Sequence, residues 1–329
     1  MLAVIGTRPE AIKQAPVVLA LQAHGLTPTL LLTGQHPSLD PAAYGLHRFP
    51  TIRLACPGQP DPHEHAAQVA ERCAPHLRGA ALVIVQGDTS SALGGALAAF
   101  ARGVPVAHVE AGLRSFDFTL PWPEEGNRFA IDSSAALLFA PTETSAANLR
   151  AEAVPGAIHV TGNTAIDALR HRLGRVPVPR LSAVKGRSRL LVTCHRRENW
   201  GAAFDGVSQA VAELASENRI DIDFLVPPNP AMAARIHERL GGLYGVRLCA
   251  PLDHGGMIDA MRSASLILSD SGGIQEEAPA LGTPLLVLRD RTERPEGVVS
   301  GNMLLVGSCS EKFCRRPSGY CPTLTPMPG

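Results

Sequence analysis

The sequence predicts an α/β protein made of two doubly wound halves, each with a parallel sheet covered by helices. In the first half, short and almost wholly apolar segments alternate with Ala-rich segments of helical period, and the same alternation restarts in the second half. Between them, residues 174–189 are rich in Pro and basic side chains and have no helical period. Apolar strands alternating with helices are typical of parallel sheets buried on both faces, and a segment of this composition is typical of a linker.

Hydrophobic periodicity predicts the elements of the first half. The predicted strands are Leu2–Ile5, Thr27–Thr33, Ala80–Gln86, Val104–Glu110, Ala136–Ala140 and Ile158–Thr161. The predicted helices are Glu10–Ala23, His65–Leu77, Ser91–Arg102, Glu125–Ser134 and Ser145–Ala153. Residues 40–62 contain many Pro and Gly residues and predict an irregular segment, and residues 114–123 predict a loop.

The second half follows the same pattern. The predicted strands are Leu190–Thr193, Ile222–Val226, Val246–Ala250, Leu266–Ser269 and Pro284–Leu288, and the predicted helices are Phe204–Ser216, Ala231–Leu240 and Met257–Ala264. The 329 residues fit two domains, predicted at residues 1–173 and 174–307 and followed by an atypical tail at residues 308–329. We expect the carboxyl ends of the strands of both halves to line one cleft, where ligands bind.

The composition argues against several classes of function. Lys plus Arg and Asp plus Glu each number 30, so bulk charge gives no attraction to nucleic acid or to a membrane surface. Aromatic residues make up 4% of the chain, too few for base-stacking platforms. The N-terminus enters an apolar strand without a basic flank or a long apolar run, so we expect no signal peptide, no transmembrane helix and a cytoplasmic location.

Neither a metal nor a redox cofactor is expected. His63 and His65 lie two positions apart, which does not match a zinc-binding helix, and no GxGxxG motif follows the first strand, so a nicotinamide cofactor is not expected. The seven cysteines form no CxxC pair. The first four are interpreted as reduced thiols, and the other three fall in the last 21 residues.

Residues 269–282, with the sequence SDSGGIQEEAPALG, pass from a predicted strand through a Gly-Gly turn into a short or kinked helix. The free backbone N–H groups at such a helix start suit a phosphate. Gly272 and Gly273 let a ligand approach the backbone closely, and Glu276 and Glu277 could accept hydrogen bonds from neighbouring sugar hydroxyls. A tight strand-to-helix turn without a ligand is the alternative interpretation.

Polar clusters follow nearly every predicted strand, and this regularity is the strongest functional signal in the sequence. After the first strand, Arg8 could bind a phosphate with two donors, and Lys13 lies one turn further on; solvated charges on a capped helix are the alternative. Asp88 follows another strand and is interpreted either as a helix N-cap or as an acid or base.

Further carboxylates follow in chain order. Glu110 ends a buried strand, where a carboxylate is costly unless it is paired or functional, so it is a better catalytic candidate than Asp88. The Pro-Trp-Pro segment at residues 121–123 leads to Glu124 and Glu125, which are either a solvated helix start or a functional pair placed by a rigid loop.

In the second half, His195 is a candidate phosphate or proton partner. Cys194 is interpreted as a small buried residue, because a Cys-His pair would not explain the many carboxylates. The charged run at residues 289–296 is either a solvated face or a segment that closes over an anionic ligand.

Together these segments resemble the non-hydrolysing UDP-N-acetylglucosamine 2-epimerases, from about residue 4 to about residue 307. The motifs that carry the resemblance occur in order: GTRPEAIK (6–13), VQGDT (85–89), HVEAGLRS (108–115), PWPEEGNR (121–128), TGNTAID (161–167), HRREN (195–199), residues 269–279 and TERPE (292–296). Pro9 and residues 110–115 favour the non-hydrolysing branch over its hydrolysing relatives.

The resemblance implies two Rossmann-like domains in a GT-B arrangement, a homodimer, and no cofactor. It implies interconversion of UDP-GlcNAc and UDP-ManNAc, in which C2 loses its proton, UDP departs to leave a 2-acetamidoglucal, and UDP adds back. At matching positions it implies proton-transfer roles for Asp88, Glu110 and Glu124 and a diphosphate contact for His195. It implies nucleotide contacts for Arg8, Ser271, Gly272, Gly273, Glu277 and Arg294, and a possible regulatory UDP-GlcNAc site at Gln35 and His36.

The chain departs from the family pattern at three places. Pro228 stands where family members often have a His, and residues 253–257 replace a segment that often has an aromatic residue near the uracil. The tail from residue 308 has no apolar period, which suggests a frameshift or truncation that translation of the other two reading frames after codon 307 would test. A glycosyltransferase of the GT-B class and a UDP-sugar binding protein without turnover are the alternative functions.

Overall fold

The computed structural model describes residues 1–174, 187–196 and 199–307. The chain divides into two compact units, Met1–His171 and Arg172–Gly329. Most of the predicted linker and all of the predicted tail lie outside the described residues.

The first unit is built on a sheet of seven strands, all paired in parallel. In chain order they are β1 (Leu2–Ile5), β2 (Thr29–Leu32), β3 (Thr51–Arg53), β4 (Val83–Gln86), β5 (Val106–Val109), β6 (Leu137–Ala140) and β7 (Ala157–Val160). Their order across the sheet is β3-β2-β1-β4-β5-β6-β7. The winding direction therefore reverses between β1 and β4, and this reversal opens a crevice at the carboxyl ends of the two strands.

The helices that connect these strands are α1 (Arg8–Ala23), α2 (Pro62–Cys73), α3 (Ser90–Ala101), α4 (Glu124–Ser134), α5 (Glu143–Ala151) and α6 (Thr164–Leu173). They cover both faces of the sheet, because alternate strand residues point to opposite faces. Val4 packs with Val69 of α2 and Leu93 of α3, whereas Ala3 packs on the other face with Val18 of α1. Burial on both faces explains why the strands read as continuous apolar runs.

The second unit repeats the design with a parallel sheet of six strands in the order β10-β9-β8-β11-β12-β13. Its elements are β8 (Ser188–Thr193), α7 (Ala202–Ser216), β9 (Ile220–Leu225), α8 (Pro230–Leu240), β10 (Val246–Cys249), α9 (His254–Ser263), β11 (Leu266–Ser269), α10 (Gly272–Ala280), β12 (Leu285–Val287), α11 (Pro295–Val299) and β13 (Met303–Leu305). Here the reversal falls between β8 and β11, where Thr193 lies opposite Ser269. The predicted class of two doubly wound α/β halves is confirmed.

Several elements differ from the sequence prediction. Residues 40–62 were predicted as irregular but contain β3, and α6, α11 and β13 were not predicted. β3 has no continuous apolar run because it is a strand of three residues at the edge of the sheet, and two of its residues are exposed. α6 buries only Ala165 and Leu169, and α11 buries none of its residues, so neither has a broad apolar stripe.

The start of α1 was also predicted too late. α1 begins at Arg8, two residues before the predicted start at Glu10, because Thr7 forms a capping box with Glu10. The Thr7 hydroxyl accepts from the Glu10 N–H at 3.4 Å, and the Glu10 carboxylate accepts from the Thr7 N–H at 2.6 Å.

Close packing of α2 against α3 makes Gly94 the first test of the fold. A Cβ atom at residue 94 would lie 2.5 Å from the carbonyl oxygen of Ala66 and 2.7 Å from Cβ of Val69. We expect Gly94→Ala to lower the free energy of unfolding by about 1–3 kcal/mol, because the backbone of α2 must shift to make room. Urea unfolding monitored by circular dichroism measures this.

Gly126→Ala in α4 is the matched control. A Cβ atom there would have its nearest neighbour outside the adjoining helix backbone 4.0 Å away, at Phe118. Alanine favours the helix over glycine by about 1 kcal/mol, so this variant should be at least as stable as the wild type. Unfolding of Gly94→Ala at the wild-type urea concentration would contradict the packing argument.

Candidate functional site

Glu110 lies in the turn that follows β5, and its carboxylate is buried and paired. Lys13 of α1 donates to Oε2 at 2.6 Å, and Nε2 of Gln86, the last residue of β4, donates to the same oxygen. Glu110 has a φ of 69°, a left-handed conformation that non-glycine residues rarely adopt. Its N–H donates to the carbonyl of Phe139 at 3.0 Å, which fixes this turn against β6. Sequence reasoning chose Glu110 because a buried carboxylate needs a partner, and Lys13 is that partner rather than a solvated charge.

Asp88 follows the neighbouring strand β4, since Gln86 lies opposite Val109 in the sheet. Its Oδ2 accepts from Nε of Arg128 at 2.8 Å, and its carbonyl oxygen accepts from Nδ2 of Asn127 at 2.8 Å. The interpretation of Asp88 as the N-cap of the next helix is wrong, because Thr89 caps α3 by accepting from the N–H of Ala92. The Asp88 carboxylate is therefore held by α4 and remains about a quarter exposed.

Glu124 and Glu125 open α4 in different surroundings. Glu124, the first residue of the helix, is partly buried. Glu125 is fully buried and accepts from the N–H groups of Ser115 and Phe116 at 2.9 and 2.8 Å and from Arg128 at 2.8 Å. The alternative of a solvated helix start is wrong, since Glu125 fixes the preceding loop.

The predicted regulatory residues lie after β2, close to Arg8. The Arg8 N–H donates to Nδ1 of His36 at 3.3 Å, and Oε1 of Gln35 accepts from the Ser91 hydroxyl at 2.7 Å. Burial and the charge of Arg8 lower the pKa of His36. His36 and Arg53 help to line a cavity of about 260 Å³. The Arg8 side chain is exposed, with its Nη2 3.4 Å from the Ser38 hydroxyl.

Glu10 joins the turn after β1 to the turn after β4. Its Oε2 accepts from the N–H groups of Gly6 and Thr7 at 3.0 and 2.6 Å, and its Oε1 accepts from the Thr89 hydroxyl at 2.8 Å. Burial raises the pKa of Glu10 to about 7, and these hydrogen bonds oppose the rise. The carboxyl group therefore lies at the reversal of winding with a pKa near neutrality.

In the second unit, α10 has an open N-terminus. Ser271 occupies the N-cap position, yet its side chain makes no capping hydrogen bond within the described part of the chain. A Cβ atom on Gly273 would meet no atom within 4 Å, and one on Gly272 would lie 3.5 Å from Nη1 of Arg294. The structure thus brings together Ser271, the two glycines and Arg294, as an anion site requires.

The two glutamates of α10 point to different partners. Glu276 accepts from Nε of Arg294 at 2.7 Å, and Arg294 also donates to Glu293. Oε1 of Glu277 lies 2.8 Å from Nε2 of His254 in α9. The Glu276 side chain is 2% exposed in its ion pair, which leaves Glu277 as the better candidate to bind sugar hydroxyls.

The charged run that follows β12 is buried in part rather than forming a wholly solvated face. Arg289 and Glu293 are buried and form an ion pair with an N–O distance of 3.2 Å. Nε of Arg289 also donates to the carbonyl oxygen of Asp270 at 2.9 Å. This pairing ties the run to the turn after β11.

His195, after β8, contacts a buried aspartate after β11. Its Nδ1 lies 3.0 Å from Oδ1 of Asp270, and Oδ2 of Asp270 accepts from the N–H groups of His195 and Arg196 at 2.9 and 2.8 Å. Burial acts to raise the pKa of Asp270, but His195 and the hydrogen bonds from Asn199 and Arg196 lower it to about 2. Half of the His195 side chain stays exposed. Cys194 is buried with a raised pKa, which confirms its interpretation as a small core residue.

Sequence reasoning missed several partners of the chosen residues. Asp270 directly follows a buried strand, the same signal that selected the other candidates. Arg128 and Gln86 lie inside motifs that were recognised, but their partners are 40 and 24 positions away, so only the fold reveals the pairs. His254 lies in residues 253–257, where family members often have an aromatic residue, and its contact with Glu277 was not predicted.

Metal-binding clusters and membrane-spanning helices are absent from the described part of the chain. In residues 1–174, 187–196 and 199–307, no group of three or more His, Cys, Asp and Glu side chains could hold a metal ion. Among the helices of that same part, none is long and apolar enough to cross a membrane. Cys56, Cys73, Cys194 and Cys249 are free thiols.

Comparison with known proteins decides the family. The family model described as UDP-N-acetylglucosamine 2-epimerase matches residues 19–318. The chain belongs to the UDP-N-acetylglucosamine 2-epimerase family. A probable UDP-N-acetylglucosamine 2-epimerase of Ralstonia nicotianae is 42% identical over 94% of this chain and 87% of its own. The Escherichia coli K12 enzyme of that name is 40% identical over 95% of this chain and 88% of its own.

Solved structures of family members share the fold. A UDP-GlcNAc 2-epimerase from Neisseria meningitidis, crystallised with UDP-GlcNAc, matches with a TM-score of 0.87 and 37% identity, over 95% of this chain and 88% of its own. A spinosyn rhamnosyltransferase matches with a TM-score of 0.55 at 19% identity, which shows a shared fold alone. The predicted GT-B class of two Rossmann-like domains is therefore confirmed for this member of the epimerase family.

The buried carboxyl of Glu10 predicts a pH-dependent stability. Its pKa is about 7 in the folded state against 4.5 ordinarily, so folding is favoured by protonation, and stability falls as the pH rises from 4.5 through 7. Glu10→Gln does not titrate. We expect it to gain about 2 kcal/mol of stability relative to the wild type between pH 5 and pH 8, measured by urea unfolding at both values.

Glu143→Gln serves as the control for this substitution. The Glu143 side chain is 77% exposed, so its stability difference from the wild type should stay nearly constant with pH. If the difference between Glu10→Gln and the wild type also stayed constant, Glu10 would be ionised at pH 5 in the folded protein.

Proposed function

We propose that the chain catalyses the reversible C2 epimerisation of UDP-GlcNAc to UDP-ManNAc by elimination and re-addition of UDP. The observation that carries the proposal is the buried Glu110 carboxylate, held by Lys13 and Gln86 beside the strand end that bears Asp88. Family membership supports the reaction. So does the UDP-GlcNAc bound in the Neisseria meningitidis relative.

The reaction needs groups that move a proton at a weakly acidic carbon. When the C2–H bond breaks, its electron pair forms the C1–C2 double bond, and the C1–O bond breaks as UDP leaves with its pair. Re-addition of UDP and delivery of a proton to the other face of C2 complete the cycle. We assign these proton transfers to Asp88, Glu110 and Glu124, which the resemblance marks and the first unit carries.

The contacts around these carboxylates orient them for proton transfer. Lys13 and Gln86 converge on one oxygen of Glu110, and Arg128 holds one oxygen of Asp88. A carboxylate fixed in this way loses little entropy when it meets the substrate, which favours proton transfer. The donors come from three different elements, so the orientation depends on the folded unit.

We assign the nucleotide to the second unit. The open N-terminus of α10 offers N–H groups and the Ser271 hydroxyl to a diphosphate, and Gly272 and Gly273 leave room for it. His195 and Arg294 add donors for the charge that develops as UDP leaves. Glu277 is assigned to the ribose hydroxyls, and Arg8 to a further nucleotide contact.

Five expectations stay predictions. We propose a homodimer, which analytical ultracentrifugation would test, and a cytoplasmic location. We also propose Gln35 and His36 as contacts of a regulatory UDP-GlcNAc, supported by the place of His36 on the wall of the cavity. The boundaries of the domains and the assignment to the non-hydrolysing branch also stay predictions from the sequence.

Glu110→Gln tests the chemistry. Purified protein receives UDP-GlcNAc in deuterated water without an acceptor, and NMR follows deuterium at C2 and the appearance of UDP-ManNAc. We expect both in the wild type, and a loss of at least about 100-fold in the variant, because the amide cannot exchange the proton. UDP binding, measured by calorimetry, should change less than about twofold.

Glu143→Gln is again the matched control and should turn over at the wild-type rate. Turnover retained by Glu110→Gln would remove Glu110 from the proton transfer. A wild-type protein that binds UDP but shows no exchange would favour a glycosyltransferase or a binding protein.

Gly273→Val tests the nucleotide assignment. The new side chain meets no protein atom at its Cβ, so the melting temperature should stay within a few degrees of the wild type. It occupies the open start of α10, and we expect the dissociation constant for UDP to rise by about tenfold or more. Ala280→Val, at the exposed far end of the same helix, should bind UDP like the wild type. Equal UDP affinity in both variants would exclude the start of α10 as the diphosphate site.

A further inference from the structure

A buried histidine lies between the two turns that carry Asp88 and Glu110. His108 is in the middle of β5 and is fully buried. Its Nδ1 lies 2.6 Å from Oδ1 of Asp132, and its Nε2 lies 2.8 Å from the carbonyl oxygen of Gly87. The reaction described above makes no use of this ring.

Both partners of the ring are acceptors, so both ring nitrogens must donate. A carbonyl oxygen has no proton to give, which places a hydrogen on Nε2. The Asp132 carboxyl could donate to Nδ1 only if it were protonated. Its other oxygen accepts from Nη2 of Arg114 at 2.7 Å and from the N–H of Gly112 at 3.2 Å, which keeps it ionised. His108 is therefore an imidazolium paired with a carboxylate.

The surrounding charges balance this cation. Asp132 of α4 faces the ring, and Glu110 lies at the end of the same strand as His108. Arg114 contacts Asp132 from the other side and is itself paired with Glu152 at 2.7 Å. Burial alone would lower the pKa of His108, but the charge of Asp132 and the hydrogen bonds outweigh it and raise the pKa. For Asp132, burial acts to raise the pKa, but the charges and hydrogen bonds of His108 and Arg114 outweigh it and lower the pKa.

The pair reaches both turns through the backbone. Gly87, directly before Asp88, donates its N–H to the carbonyl of Val109 at 3.0 Å, and its own carbonyl accepts from His108, so β5 holds both peptide groups of this residue. Gly112, two residues after Glu110, donates to Asp132. One buried ion pair thus spans the two turns.

We propose that His108, as a buried imidazolium paired with Asp132, is a positioning residue that fixes the Asp88 and Glu110 turns relative to each other. This role rests on the proposed function, in which those two carboxylates transfer protons. Histidine suits the position because a protonated imidazole has two N–H donors on opposite sides of its ring and a positive charge. A side-chain amide is neutral and cannot provide both.

The ionisation is tested on the wild-type protein. Long-range proton–nitrogen NMR spectra of the imidazole rings should show both nitrogens of His108 protonated at pH 8. His65 is the internal reference, because it is also buried but its pKa is lowered, so its ring should be neutral at that pH. A neutral His108 ring at pH 8 would overturn the proposal.

The positioning role is tested with His108→Gln. We expect kcat for epimerisation to fall on the order of 100-fold while KM and the dissociation constant for UDP stay within about threefold, because geometry around the reacting carbon is lost and binding is kept. His159→Gln, at an exposed position of β7, should keep the wild-type kcat. A wild-type kcat in His108→Gln would overturn the positioning role alone.

Asp132→Asn supplies a readout that a purely structural role would not move. Without the carboxylate, the buried His108 should titrate below the ordinary pKa of 6.5. The ratio of the variant's kcat to that of the wild type should then rise as the pH falls from 8 to 5.5, since protonation restores the imidazolium. A ratio independent of pH would overturn the proposal, even if His108→Gln fails to fold.

A wild-type protein without C2 exchange would overturn the proposed function and the positioning role together, while the NMR result would still report the ionisation.

Discussion

Both sheets reverse their winding between two central strands, and this reversal decides where the candidate functional side chains lie. In the first unit β1 and β4 are neighbours, and in the second unit β8 and β11 are neighbours. The chain leaves such strands toward opposite faces of the sheet, so their carboxyl ends stay uncovered and expose backbone N–H groups. Arg8, Asp88, His195 and Ser271 all follow these four strands within three residues.

Four buried carboxylates hold the turns after β1, β5 and β8 by accepting backbone N–H groups. Glu10 accepts from two residues after β1, Glu125 from two residues of the loop before α4, and Asp270 from two residues after β8. Asp132 accepts from Gly112. A buried carboxylate without such partners would cost several kcal/mol, and with them it makes each turn rigid. Both units therefore use the same means to shape a polar edge.

The sequence predicted the fold class and most of the central elements because strands buried on both faces leave an unmistakable apolar run. It missed β3, α6, α11 and β13, which are short or bury few side chains, so their patterns are weak. The candidate site was predicted from single residues that follow strands, such as Glu110. Their partners could not be predicted, because Lys13 lies 97 positions from Glu110 and only the order of strands brings them together.

The partners separate two kinds of carboxylate that look alike in the sequence. Glu124 and Glu125 are adjacent, as are Glu276 and Glu277, yet the members of each pair differ. Glu125 is tied to backbone N–H groups, and Glu276 is enclosed in its ion pair with Arg294, so neither can turn toward a ligand without breaking these contacts. Asp88 and Glu277 are paired with the side chains of Arg128 and His254, and their carboxylates stay 25% and 9% exposed. In each unit, enclosed carboxylates therefore shape the strand ends, and partly open carboxylates near them stay accessible to a ligand.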